Sequence, residues 1–376
     1  MRLTRVQMEG LKKRFGVDRL WSYSRLSTYH ERPWEYRIAY LERAARSASV
    51  YTEWGTNCHD LVQDAYTGEY SFEEMGQRFD NKVAEWKANN NGFTFPTKDI
   101  EKSYFENLSH YYHNPLPIDC DMVCEKPVIY HLNDDEGKPI VFIGYVDGEY
   151  WGKEDEGEKY YIVDFKSSSK GDFVGKKLNE KSRQLKLYAA AISQQRGIPL
   201  DQIVCRFDML KYLNVSYLQK NGKWRSSTQE RRKWVKSQEK KIRTLLLEHG
   251  VDFIEIDLIV EQAIYNNDLD CLPDYVKEKF KVDNCYIDVN VTEEDVNDLN
   301  RFIIDNVTEC YELEKGDWEI NFPEPPFEEL DSFYYSVLAP QIQSKAKVWQ
   351  ENKVLKDRST SILEQESEDF FDSLFS

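Results

Sequence analysis

The residues best suited to chemistry lie far apart in the chain and fall into short patterns. The run VDFKS places Asp164 and Lys166 two residues apart. In an extended strand both side chains leave one face while Phe165 points into the core. Taken alone, such a pair reads equally well as an ordinary surface ion pair. A second carboxylate, Asp147 in IGYVDGEY, stands on the preceding strand-like segment. If the two segments are neighbours, Asp147 and Asp164 converge. Two like charges in one place are costly unless a cation sits between them. Carboxylate oxygens suit Mg²⁺ or Mn²⁺. His59, in GTNCHD, reads by itself as a packed or solvated helical histidine. Beside two carboxylates it becomes a metal ligand, which favours Mn²⁺ as well as Mg²⁺. In RQLKLYAAA, Gln184 and Tyr188 are four apart and share one helix face. That face is either plain solvent surface or support for the strand ends.

These side chains need elements to hold them. Residues 18–47 read as helical, broken or restarted at Pro33. Residues 55–66 form a helix with an apolar stripe of Cys58, Leu61, Val62 and Ala65, and 72–90 and 98–113 form two more. The pattern then changes to period two over 124–132, 139–151 and 159–168. The polar turns NDDEG and KEDEGE separate these segments, which predicts a three-strand antiparallel meander. A basic loop, Ser167–Lys181, leads to a helix over 182–195, and 202–219 return to strand. Asn221-Gly222 signals a hairpin turn. Residues 228–248 read as a charged helix, and helices dominate beyond 250, with one strand at 285–291. The expected fold class is α/β (α+β): a central mixed sheet, begun by the meander and flanked by helices. The expected division is a helical region over residues 1–118 carrying His59, a core over 119–250, an acidic helical region over 251–345 packing on that core, and a disordered acidic tail over 346–376.

Taken in order, the patterns G-x-x-x-H (Gly55, His59), I-G-x-x-D (Ile143, Gly144, Asp147), D-x-K (Asp164, Lys166) and Q-x-x-x-Y (Gln184, Tyr188) resemble the RecB-type branch of the PD-(D/E)XK nucleases. YSRLSTYHERPWEY upstream, and VTEEDVNDLNRFI and NFPEPP downstream, are similar to further family segments, so the resemblance spans roughly residues 20–340. It implies a restriction-endonuclease-like core and a divalent-metal-dependent DNA exonuclease of recombination, repair or replication, for which a phage gene is one source. It implies that His59, Asp147 and Asp164, with the backbone carbonyl of Phe165, hold the metal. Lys166 would orient the attacking water, and Gln184 and Tyr188 would position Lys166 or the DNA backbone. The Gln–Tyr pattern disfavours a structure- or sequence-specific endonuclease of a defence system. The intact His, two Asp and Lys speak against a catalytically inactive DNA-binding or recruitment module. Many members carry a four-iron–four-sulfur cluster, but Arg32 precedes Pro33 and EELDSFYYSVL has no cysteine, so no cluster is expected. Packing of the C-terminal segment on the N-terminal helices would replace it. G-x-x-x-x-G-K-[ST] is absent, so no ATP use is expected.

The overall composition points the other way. A net charge of −17 over 376 residues argues against a simple basic nucleic-acid coat protein. The charge is unevenly placed, however. Residues 251–376 hold 10 basic and 31 acidic groups, and the rest of the chain holds 40 and 36. Residues 166–186 carry seven basic against two acidic groups, and 220–243 carry ten against two. Lys170, Lys176, Lys177 and Lys181 are expected to meet DNA phosphates, as are Ser24 and Arg25 beside Tyr23. The substrate would be single-stranded DNA or DNA ends. The outer face of 228–248 reads as well as a solvated helix, and tryptophans are more often core than stacking platforms.

Seven cysteines without a C-x-x-C pair suggest neither a disulfide framework nor a zinc site. With no apolar signal core and no apolar run near 18 residues, a cytoplasmic protein without membrane contact is expected. The acidic end, EQESEDFFDSLFS, resembles at Ser373-Leu374-Phe375 the last residues of a bacterial sliding-clamp-binding pentapeptide, although its leading residues differ. Phe371, Leu374 and Phe375 are thus expected to dock a clamp or another replication or recombination protein.

Overall fold

The computed structural model describes residues 2–342 apart from 47, 90–92, 155, 156 and 331. Among these residues, six α-helices precede the sheet. They are α1 (Arg5–Phe15), α2 (Tyr23–Glu31), α3 (Pro33–Tyr36), α4 (Val50–Tyr66), α5 (Met75–Ala88) and α6 (Lys98–His113). Pro33 starts a helix, because its missing N–H is no loss in a first turn. The stripe expected on α4 is buried, and the helix begins five residues earlier, so Trp54 joins it. Trp54 is fully buried and packs edge-on against Phe79 of α5 and Phe105 of α6. Trp86 and Phe95 complete this aromatic cluster, which holds α4 and hence His59 in place.

The three alternating segments form the expected meander: β1 (Val123–Asn133), β2 (Pro139–Glu154) and β3 (Gly157–Lys166), each antiparallel to the next. From Tyr160 to Phe165 every residue of β3 is buried. β3 is interior because β4 (Ile203–Leu218) pairs parallel along its other side. A parallel pair needs a long crossover. Residues 167–202 supply it, through a 3₁₀ turn at Lys170–Asp172, α7 (Gly175–Lys181) and α8 (Arg183–Arg196). About half of the stretch read as a basic loop is therefore helix. β1 lies at the sheet edge, where free backbone groups invite unwanted pairing. Two α8 side chains occupy them: Gln195 Oε1 accepts from the Ile129 N–H, and Gln194 pairs with both the N–H and the carbonyl of His131.

β4 outruns β3. Its outer half pairs with β5 (Trp224–Glu230) on one side and with β6 (Phe280–Asn290) on the other. Here the sequence reading fails. The helix expected from 228 starts at Trp234 as α9 (Trp234–Glu248), after a 3₁₀ turn at Arg231–Lys233. The run WRSSTQE is charged and polar enough for a helix surface. The Asn221-Gly222 turn, with Gly222 at φ +78°, folds it back on β4, and ladder hydrogen bonds decide its state. β6 likewise begins five residues before 285. With α10 (Phe253–Asn266) and α11 (Asp274–Lys277), α9 buries one face of this outer sheet in a core of Leu213, Val215, Trp234, Ile242, Val260 and Phe280.

Helices α12 (Glu293–Glu314), α13 (Trp318–Asn321) and α14 (Phe327–Leu330) follow. The chain divides into two units. Residues 1–26 with 52–310 form the first, and the described stretches of 27–51 and 311–376 form the second. In the second, Trp34, Ile38, Leu330, Tyr335, Ala339 and Ile342 make a small core, so the late segment does pack on the early helix. Arg32, at the position where the resembled family has a cysteine, pairs with Glu35 and lies 4.1 Å from the Tyr334 ring centroid. No helix among the described residues is long and apolar enough to cross a membrane. No disulfide is formed among the described residues. The tail over 346–376, with Phe371, Leu374 and Phe375, lies outside the described residues.

Because Trp54 anchors α4, Trp54→Ala is expected to cost about 3–5 kcal/mol of stability. The measurement is the urea unfolding midpoint at constant m-value.

Candidate active site

The register of the meander builds the site. The β2–β3 ladder ends at Gly148↔Val163, so Asp147 and Asp164 face each other one step further on, where the two strands part. Asp147 accepts two hydrogen bonds there: its Oδ2 lies 3.0 Å from His59 Nδ1 and 3.3 Å from the Phe165 N–H. Lys166 shares the face of Asp164, as the period of two requires, and its Nζ is 2.7 Å from Asp164 Oδ2. Gln184 Nε2 donates to Tyr188 Oη at 2.8 Å across one helical turn of α8. His59, Asp147, Asp164, Lys166, Gln184 and Tyr188 line one cleft of about 80 Å³, together with Val163 and Leu185. The six side chains named from their spacing are thus in one place.

Gly144 shows why two of the patterns belong together. A Cβ on it would collide with Cε1 of Tyr188. The bare glycine on β2 lets the Tyr188 ring lie against the strand, and this brings the α8 pair over the carboxylates.

The charges are strongly coupled. Burial works against charging the His59 imidazole, but the adjacent Asp147 charge, its hydrogen bond and the Asp164 charge outweigh it and raise its pKa. Burial would raise Asp147 too, yet His59 and Lys166 hold it below the ordinary carboxylate range. For Asp164 burial wins over Lys166, with Asp147 adding repulsion, and its pKa is pushed up to about 6. Lys166 is half-buried, and this desolvation favours its neutral form, but the charges of Asp164 and Asp147 raise its pKa.

A divalent cation suits these residues. One atom each from His59, Asp147 and Asp164 lie within 4.8 Å of one another. Asp164 Oδ1 is buried without a hydrogen-bond partner among the described residues. A buried carboxylate oxygen left without a donor costs free energy, and a cation would relieve that cost. The cleft has room for an ion with water.

The other residues singled out from sequence are placed as follows. The Phe165 ring is buried, with the His59 ring centroid 6.4 Å away. Lys176 and Lys181 stand exposed on α7, while Lys177 pairs with Asp172 and Lys170 Nζ donates to Thr228 Oγ1. Ser24 Oγ meets Ser22 Oγ, and the Arg25 guanidinium lies 5.2 Å from the Trp21 ring centroid. One neighbour of the site was invisible in the sequence. Glu125 falls between the paired positions Cys124↔Gly148 and Lys126↔Val146, hence opposite Asp147, and takes a left-handed φ of +51°. Its carboxylate is bonded by Arg2 at 2.9 Å. No residue type in CEKPV announces that conformation.

Both raised groups must shed protons to hold a metal. Asp164 carries its proton below about pH 6, and His59 keeps its own above the ordinary histidine range. Metal affinity should therefore rise with pH, by about tenfold or more between pH 6 and 8, with net proton release. Titrating Mn²⁺ calorimetrically in two buffers of different ionisation enthalpy measures both.

The model of the PD-(D/E)XK nuclease superfamily matches residues 20–262, which is more than half of the chain and includes all six cleft residues. No curated protein matches the sequence. The order of the patterns, the cleft they form and this match agree: the chain belongs to the PD-(D/E)XK nuclease superfamily, whose members are metal-dependent nucleases.

Proposed function

We propose that the protein is a DNA exonuclease of the RecB-type branch, using Mg²⁺ or Mn²⁺ and acting in recombination, repair or replication. The observation that carries this reading is the convergence of His59, Asp147 and Asp164 beside Lys166, with the Gln184–Tyr188 pair over the same cleft. The Q-x-x-x-Y pattern on α8 supports the RecB-type assignment, and the basic stretch between β3 and α8 supports DNA as substrate.

In this reading His59, Asp147 and Asp164 hold the cation, with the Phe165 carbonyl as a further ligand. When bound, the cation supplies positive charge to a phosphate oxygen and acidifies a nearby water. The chain's own residues do the rest. Lys166, freed from Asp164 once that carboxylate is otherwise engaged, donates hydrogen bonds to the attacking water and offsets negative charge growing on the phosphate. Gln184 and Tyr188 keep donors beside the Lys166 ammonium and the substrate backbone. Water attacks phosphorus directly, the P–O bond breaks, and no covalent enzyme intermediate forms. Lys170, Lys176 and Lys181 meet backbone phosphates along the crossover.

Replacing Asp164 or Lys166 by Ala should lower cleavage of labelled linear DNA by at least about 10²–10³-fold. Undiminished cleavage by either variant would remove this site from the reaction. Covalently closed circular single-stranded DNA should resist the wild-type protein while linear DNA of the same sequence is degraded. Cleavage of both at equal rates would mark an endonuclease instead.

A further inference from the structure

The outer half of β4 has two faces of opposite character. Between Asp208↔Tyr286 and Leu213↔Asn284, β4 has four intervening residues and β6 has one. The three extra residues are an odd number, so the alternation of side chains is inverted beyond the bulge. Asp164 is the register partner of Phe207, so these two share a face, and Asp208 faces the other way. After the inversion Leu213 and Val215 stand on the Asp208 side, where they meet the core of α9 and α10. Tyr212, Asn214, Ser216 and Leu218 consequently stand on the side of Asp164 and Lys166. The chain after Lys166 confirms this side, because the Lys170 N–H donates to Tyr212 Oη and its ammonium to Thr228 Oγ1.

Beyond Tyr212, the side chains of β4 on that second face, Asn214, Ser216 and Leu218, are only half-buried. The register sets Ser216 across from Ser226 on β5 and from Lys281 on β6, and Leu218 across from Trp224. Ser226, Trp224 and Lys281 are exposed. Trp224 is 40 % exposed, and the Lys281 ammonium lies 4.4 Å from its ring centroid. Many antiparallel sheets leave a polar face to water. This one differs in three ways: it presents a large aromatic beside an ammonium, it carries hydroxyls and an amide with only the carboxylates of Asp283, across from Asn214, and of Glu230, paired with Arg232 and Lys233, among them, and it begins four residues from Lys166. From Tyr212 to Leu218 it extends about 20 Å away from the cleft at the usual strand rise.

We propose that this face is a track for single-stranded DNA. Hydroxyls of Ser216 and Ser226 and the ammonium groups of Lys170, which Thr228 and Asn214 hold on this face, and of Lys281 bond the backbone, and Trp224 stacks on an unpaired base at the far end. The track deepens the nuclease reading, on which its role in delivering a strand to the cleft rests. Its own binding needs neither metal nor cleavage. Duplex DNA has no unpaired base for Trp224, so the stacking contact selects single strands.

The test uses the full chain in EDTA, with a fluorescent oligothymidylate of about 20 nucleotides followed by anisotropy. Trp224→Ala should weaken binding about tenfold or more, Trp224→Phe should restore most of it, and blunt duplex binding should change little. Lys281→Ala should reduce the slope of log K against log salt by about 0.7. Wild-type affinity for the oligomer in Trp224→Ala, or equal losses for oligomer and duplex, would overturn the track while leaving the Asp164 and Lys166 tests of the nuclease reading untouched. Absence of binding by the wild-type protein would overturn the track as well.

Discussion

The central strands of the first unit hold one expensive arrangement, two carboxylates side by side in a half-buried cleft. Asp147 and Asp164 are brought together by the β2–β3 register and cannot move apart without breaking the central strands. Without a cation, His59 and Lys166 hold the cluster near neutrality, each carboxylate taking one basic partner. The compensation is incomplete, because Asp164 retains one oxygen without a partner among the described residues. The cluster is thus stable enough to fold and poor enough in donors to favour a metal.

The supporting structure follows from that constraint. β3 is interior, which desolvates the site, because β4 lies along its other side, and the parallel sense of that pair requires a crossover. The crossover is therefore obliged to return over the strand ends, and it carries Gln184 and Tyr188 there. The missing side chain of Gly144 lets Tyr188 approach β2. The Trp54 cluster fixes the helix that brings His59 to Asp147. The negative net charge does not oppose this chemistry. Acid gathers beyond residue 250, whereas the crossover and the hairpin next to the cleft are basic.

The sequence by itself determined the meander and the positions of His59, Asp147, Asp164, Lys166, Gln184 and Tyr188 on their elements. These depend on local rules: a period of two puts Asp164 and Lys166 on one face, a separation of four does the same for Gln184 and Tyr188, and polar turns force neighbouring strands to pair. Only the tertiary structure decided what depends on partners distant in the chain. Residues 228–230 became strand because β4 offered a ladder, although their composition suited the helix expected there. Glu125 took a left-handed backbone opposite Asp147 without any residue-type signal. The three-residue excess in β4 reversed its faces, and with them the side on which Trp224 and Lys281 stand, because side-chain direction beyond a bulge is set by pairing and not by spacing.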